Sequence, residues 1–190
     1  MKLNLGCGTK RLAGWVNVDK YPALEPDIIH DLDRLPWPWP NDSVGEVSMA
    51  HVLEHLGQET RLFLGIIQEL YRVCRHGAVI HLVVPHPRHD DFINDPTHVR
   101  PITPEMMGLF NREANLEWRR AGAANSQLAL ALGVDFVTDK VALTPTPEWR
   151  DRLKSGEVTM ADLEQARKSR LNVIQEISMR LTVRKPATAG

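Results

Sequence analysis

The chain alternates between short apolar runs and polar turns over its first half, and each run stops at a turn-forming or acidic residue. Residues 2–5 are a short apolar run ending at Gly6-Cys7-Gly8, which reads as a strand breaking into a glycine turn. Residues 15–18 alternate and end at Asp19, a second strand, and residues 27–30 end at Asp31, a third. The segment Leu35-Pro36-Trp37-Pro38-Trp39-Pro40 carries proline at alternate positions, which excludes a helix interior or a central strand. It reads as a surface loop packed down by its tryptophans, and ring stacking on a ligand is the lesser reading.

Residues 44–50 form the fourth predicted strand. Residues 59–73 place apolar side chains at 62, 63, 66, 67, 70 and 73, a helical spacing with Gly77 beyond it. Residues 78–84 are almost continuously apolar, as in a parallel strand covered on both faces. Residues 85–104 have no period and read as a long loop, of a length usually functional or disordered. Short helices are expected at 105–110, 115–132 and, as a pair, 148–168, with strands at 134–143 and 171–183. The tail 186–190 reads as disordered, leaving 1–185 as a single domain. Repeated strand–helix–strand order predicts a Rossmann-like, doubly wound, mostly parallel α/β sheet whose ligand sits beyond the C-terminal strand ends.

Composition narrows the partners. A chain of 190 residues with formal net charge −1 offers no general electrostatic grip on nucleic acid or an anionic membrane. No apolar run is long enough to span a bilayer, and no secretory signal is evident. Cys7 and Cys74 lack metal-ligand spacing and read as free thiols in a cytoplasmic protein.

The candidate chemistry gathers at the strand ends. Gly6 and Gly8 allow positive φ and close ligand approach, and Asp19, ending the next strand, is placed to accept from ribose hydroxyls. Asp31 is placed to accept from an adenine amino group. The turn is not GxGxxG, so no pyrophosphate cradle is spelled out.

LNLGCG, GWVNVD, DIIHDLDRLPWP, HVLEHL and the following ELYRV helix together resemble the class I S-adenosylmethionine (SAM)-dependent methyltransferases, in particular the small bacterial type-11-like group, over roughly residues 3–110. The resemblance implies a seven-stranded sheet with an antiparallel last strand and SAM as cofactor. It places Gly6, Cys7 and Gly8 under the methionine part, Asp19 at the ribose, Asp31 and Leu32 beside the adenine and His51 near the methyl donor. Many members carry covering helices before the first strand, whereas this sequence opens on the strand. The cofactor is then either more open, or covered by a loop, the acceptor or a second subunit in a homodimer.

His98, His89 and Asp95 in the 85–100 loop are the catalytic candidates, with histidine as base toward a hydroxyl, and Arg88 and Arg100 as anion holders. His51-Val-Leu-Glu54-His55 matches the HxxEH pattern of inverted zinc peptidases. It starts at a strand end rather than inside a long helix, so it reads as a decoy and no metal is expected. A metal held by His86, His89, Asp90 and Asp91 has no specific spacing behind it. The function expected is methyl transfer to O or N of a small or carrier-linked acceptor, with sugars among the candidates by family association. The alternatives are a non-catalytic SAM-binding module and, more remotely, a zinc hydrolase.

Overall fold

The computed structural model describes residues 1–186; beyond Pro186, the tail expected to be disordered lies outside the described residues. Seven strands form one sheet: β1 (Lys2–Leu5), β2 (Val16–Asp19), β3 (Ile28–Ile29), β4 (Val44–Ala50), β5 (Cys74–Pro85), β6 (Phe136–Pro145) and β7 (Ile174–Val183). Their order is β3-β2-β1-β4-β5-β7-β6. Strands β1 to β5 pair in parallel, and β7 inserts antiparallel between β5 and β6. This is the seven-stranded arrangement with an antiparallel last strand that the family resemblance implies.

Helix α1 (Thr60–Val73) follows β4 and buries Phe63, Ile66, Ile67, Leu70 and Val73, the face its periodicity marks. The chain then passes directly into β5 at Cys74. Gly77 is not a helix cap: it has φ +74° inside β5, where the pairing register with β4 shifts between Val44 and Glu46. Short helices α2 (Asp90–Ile93), α3 (Pro104–Gly108), α4 (Arg112–Ala121) and α5 (Leu128–Leu132) fill the segment before β6. The single helix expected over 115–132 is two, because Gly122 takes a left-handed C-cap with φ +66°. Helices α6 (Pro147–Ser155) and α7 (Met160–Ser169) form a satellite core with Trp149, Leu163, Ala166, Val173 and Ile174.

Two features depart from the expected repeat. The β1–β2, β2–β3 and β3–β4 connections hold no α-helix, only a glycine turn, one 3-10 turn (Pro22–Leu24) and the proline-rich segment. The sheet is also one-sided. Leu3, Leu5, Val47, Met49, Ile80, Leu82, Met179 and Leu181 are buried on one face. The opposite face carries Glu46, Ser48, His81, Arg180 and Lys140, which are exposed or half-buried. Strand β5 is therefore covered on one face, not both, and His81 shows the difference with a side chain 46% exposed. Lys2 and His81 both reach Glu46 there, at 2.7 and 3.0 Å. Trp37 and Trp39 are buried and packed edge to face, with Trp37 Nε1 donating to the Leu32 carbonyl. The packed-down reading of this loop holds, which removes both rings from ligand stacking. No helix among the described residues is long and apolar enough to cross a membrane.

Candidate cofactor and acceptor site

A cavity of about 430 Å³ opens at the C-terminal ends of β1 to β4, a volume ordinary for a small-molecule site. Its wall takes Gly6 and Gly8 from the turn after β1, Asp19 from β2, Asp31 and Leu32 from beyond β3 and His51 from beyond β4. The order β2-β1-β4 makes this the switch point of the sheet, where ligands of open α/β sheets bind.

Each wall residue has a local reason for its place. Asp19 Oδ2 accepts from Gly8 N at 2.9 Å and Oδ1 from Tyr21 N at 3.1 Å, so the carboxylate shapes the glycine turn and retains lone pairs for a ligand. A Cβ on Gly6 would stand 2.4 Å from Val52 Cγ2, so packing as well as φ +64° requires glycine there. Gly8, at φ +51°, would meet nothing within 4 Å. Asp31 Oδ1 accepts from Asp33 N at 3.1 Å in a local turn. His51 holds φ +56°, a conformation uncommon for non-glycine residues and shared here with Glu25, Asp42 and Asn172. Its imidazole pKa is raised by Glu54, 3.6 Å away, and by Glu176, 2.8 Å away, against the opposing effect of burial.

Cys7 is next to the cavity but does not line it. It is 5% exposed, its backbone N donates to Val18 O at 3.0 Å, and burial pushes its thiol up. Cys74 is likewise free and buried, pushed up to about 12.

The loop candidates separate. His98 and Asp95 do not line the cavity; they contact His55 and Thr97, which do. His98 is 8% exposed in its side chain, 4.6 Å from the His55 ring and stacked on Phe92, and its Nδ1 donates to Phe92 O at 3.0 Å. Asp95 accepts from the Thr97 backbone N and hydroxyl at 2.8 and 2.6 Å. His89 is away from the cavity, where it caps α2 by accepting from Asp91 N. Both arginines are engaged elsewhere: Arg88 donates to Lys168 O, and Arg100 donates to Gly57 O while stacking on Phe63. In the HxxEH segment, residues 53–55 form a single 3-10 turn, so His51 and His55 do not share a helix face. The wall also holds Lys20, Tyr21, Leu24 and His30, to which the sequence assigns no role. Nε2 of His30 is buried without a partner, and burial lowers this imidazole's pKa.

No family model matches the chain, and no curated protein is similar to it in sequence. Solved structures are. A SAM-dependent methyltransferase from Archaeoglobus fulgidus matches 95% of this chain and 85% of its own, at TM-score 0.63 and 17% identity. The fold is that of the class I methyltransferases. The YcgJ protein of Bacillus subtilis (TM-score 0.54, 14% identity, 98% and 92% covered) and the [4+2]-cyclase SpnF (0.53, 14%, 97% and 75%) share it. That one of these is named a cyclase shows that the class I methyltransferase fold does not fix the reaction, which must be argued from the site.

Proposed function

We propose that the chain is a SAM-dependent methyltransferase acting on O or N of a small or carrier-linked acceptor. The observation that carries the reading is the cavity wall itself: a positive-φ glycine turn, Asp19 and Asp31 arrive at one concave site from three successive strand ends. This is the polar pattern that a nucleoside with a charged amino-acid arm requires. Asp19 would hold the ribose hydroxyls, Asp31 and Leu32 would flank the adenine, and the Gly6–Gly8 turn would pass beneath the methionine arm.

Bound SAM supplies a methyl group activated by its sulfonium. The protein's contribution is then chiefly placement, since holding two reactants in line removes most of the entropic part of the barrier. The acceptor would enter beside His51, His55 and Thr97, and His98 and Asp95 would act as positioning residues through His55 and Thr97. A sugar acceptor rests on family association alone.

Calorimetric titration with SAM and S-adenosylhomocysteine tests the reading. Micromolar binding is expected, weakened at least about tenfold, or ~1.4 kcal/mol, in Asp19→Ala. Asp19→Asn keeps one acceptor oxygen and separates ligand contact from disruption of the turn. A folded protein that binds neither ligand sinks the proposal. Accumulation of S-adenosylhomocysteine with an acceptor distinguishes methyl transfer from a non-catalytic or cyclase role.

A further inference from the structure

Glu54 is an anomaly in the interior. It is 1% exposed, yet neither carboxylate oxygen has a hydrogen-bond partner: the His51 imidazole stands 3.6 Å from Oε1, beyond hydrogen-bond reach. Buried carboxylates in folded proteins are ordinarily paired or bound to a metal, because an unsatisfied one is costly. Around this one stand histidines. One ligand atom each from Glu54, His55 and His98 lies within 4.8 Å of the others, and the two imidazole rings are 4.6 Å apart. We propose that these three residues hold a divalent transition-metal ion beside the cavity, which His55 alone of the three lines.

The tautomers support the assignment. A carbonyl can only accept, so the contact with Phe92 O fixes the His98 proton on Nδ1. The Thr97 hydroxyl donates to Asp95 Oδ1, so its oxygen accepts from His55 Nδ1 at 3.0 Å. Both rings therefore keep an Nε2 lone pair for an ion. Giving the second ring N–H to a carbonyl or to a hydroxyl–carboxylate relay is how metal-binding histidines are oriented. The site is also held together without an ion: Val99 N donates to Glu54 O, and Arg100 to Gly57 O, both at 2.9 Å. Phe92 covers the His98 ring.

Two imidazoles and one carboxylate favour Zn²⁺ and its first-row neighbours over Mg²⁺ or Ca²⁺, and leave positions open for an exogenous oxygen. Ligand bonds of about 2.0–2.2 Å ask the three groups to draw closer, which the half-buried His55 can supply by rotation. The arrangement differs from the HxxEH peptidase pattern, since Glu54 is itself a ligand and His51 is engaged with Glu176. Because His55 and Thr97 line the cavity, the ion would stand where an acceptor hydroxyl could bind it. That use rests on the methyl-transfer reading; the binding itself does not.

The test is titration of the chelator-stripped full chain with Co²⁺, followed by visible absorption, and with Zn²⁺, followed by calorimetry, both without SAM. One equivalent is expected, with a Co²⁺ spectrum of low coordination number. His98→Ala and Glu54→Gln should each weaken binding at least tenfold, while His81→Ala, on the open sheet face, leaves it unchanged. If Glu54→Gln does not fold, His55→Ala at the cavity wall replaces it. Absence of binding, or binding indifferent to His98→Ala, overturns the proposal. SAM titrations on the same samples keep the two readings apart, since either ligand can fail alone.

Discussion

Gly6 and Gly8 look equivalent in LNLGCG, but their surroundings give them different work. At Gly6 an alanine methyl would run into both Cγ atoms of Val52 on a left-handed backbone. Backbone strain of about 1–2 kcal/mol and crowding of about 1–3 kcal/mol make Gly6→Ala the costlier change in urea unfolding. Gly8→Ala should carry only the backbone part, about 1–2 kcal/mol. Adding Val52→Ala to Gly6→Ala should recover much of the crowding, a non-additivity that a double-mutant cycle reads directly. Glu69 is a second residue-scale case. It accepts from Arg72 Nε and Nη2 and from Trp37 N, each at 2.7 Å, and the Arg72 guanidinium holds its carboxyl below the ordinary range. A depressed pKa in the fold means stability that is present above the unfolded value of about 4.3 and lost as pH falls through the lower folded value. In Glu69→Gln the acid limb of Tm against pH should flatten. At neutral pH the loss should be about 1.5–3 kcal/mol, the range for a hydrogen bond to a charged group.

At the scale of elements, α4 and α5 depend on one side chain. Asn115 is fully buried; its Nδ2 donates to Leu109 O at 3.1 Å and its Oδ1 accepts from Ala129 N at 2.9 Å. Asn115→Ala removes two buried hydrogen bonds, at about 0.5–1.5 kcal/mol each, while Ala129 N still donates to Leu109 O at 2.9 Å. The denaturation midpoint should fall with an unchanged m-value. Elements with a strong period were legible in the sequence. Strands β1 and β4 lie where their apolar runs lie, and α1 buries the face its spacing marks. What the period could not convey was punctuation. Gly77 sits beyond α1 as a cap would, yet a strand registers across it, and Gly122 divides a run that reads as one helix. Both depend on which partner the backbone finds, which is tertiary information. The glycine turn, Asp19, Asp31, Leu32 and His51 were legible as wall residues because each follows a strand end. Lys20, Tyr21, Leu24 and His30 were not, since they reach the wall through loop conformations with no period. The Glu54–His55–His98 grouping needed the fold-back of a loop over 40 residues of chain, although its parts stood in plain sight as HVLEHL and a histidine-rich loop.

For the whole molecule, the one-sided sheet sets the terms. Strands β1, β4, β5 and most of β7 turn their buried apolar side chains to the same layer, where α1 supplies Ile66 and Leu70. The other face, with Glu46, His81, Arg180 and Lys140, adds little apolar burial. Such a protein has no reserve core. A substitution such as Leu70→Ala, at about 2–5 kcal/mol for a buried leucine, removes support from the whole sheet at once rather than from one half of it. Native-state hydrogen exchange should therefore find the amides of β1, β4 and β5 opening together, at the free energy of global unfolding. The satellite core of α6 and α7 should open earlier. Mechanically, the sheet behaves as a panel clamped from one side, and whatever loosens the clamp releases all the strand ends that shape the cavity in a single event.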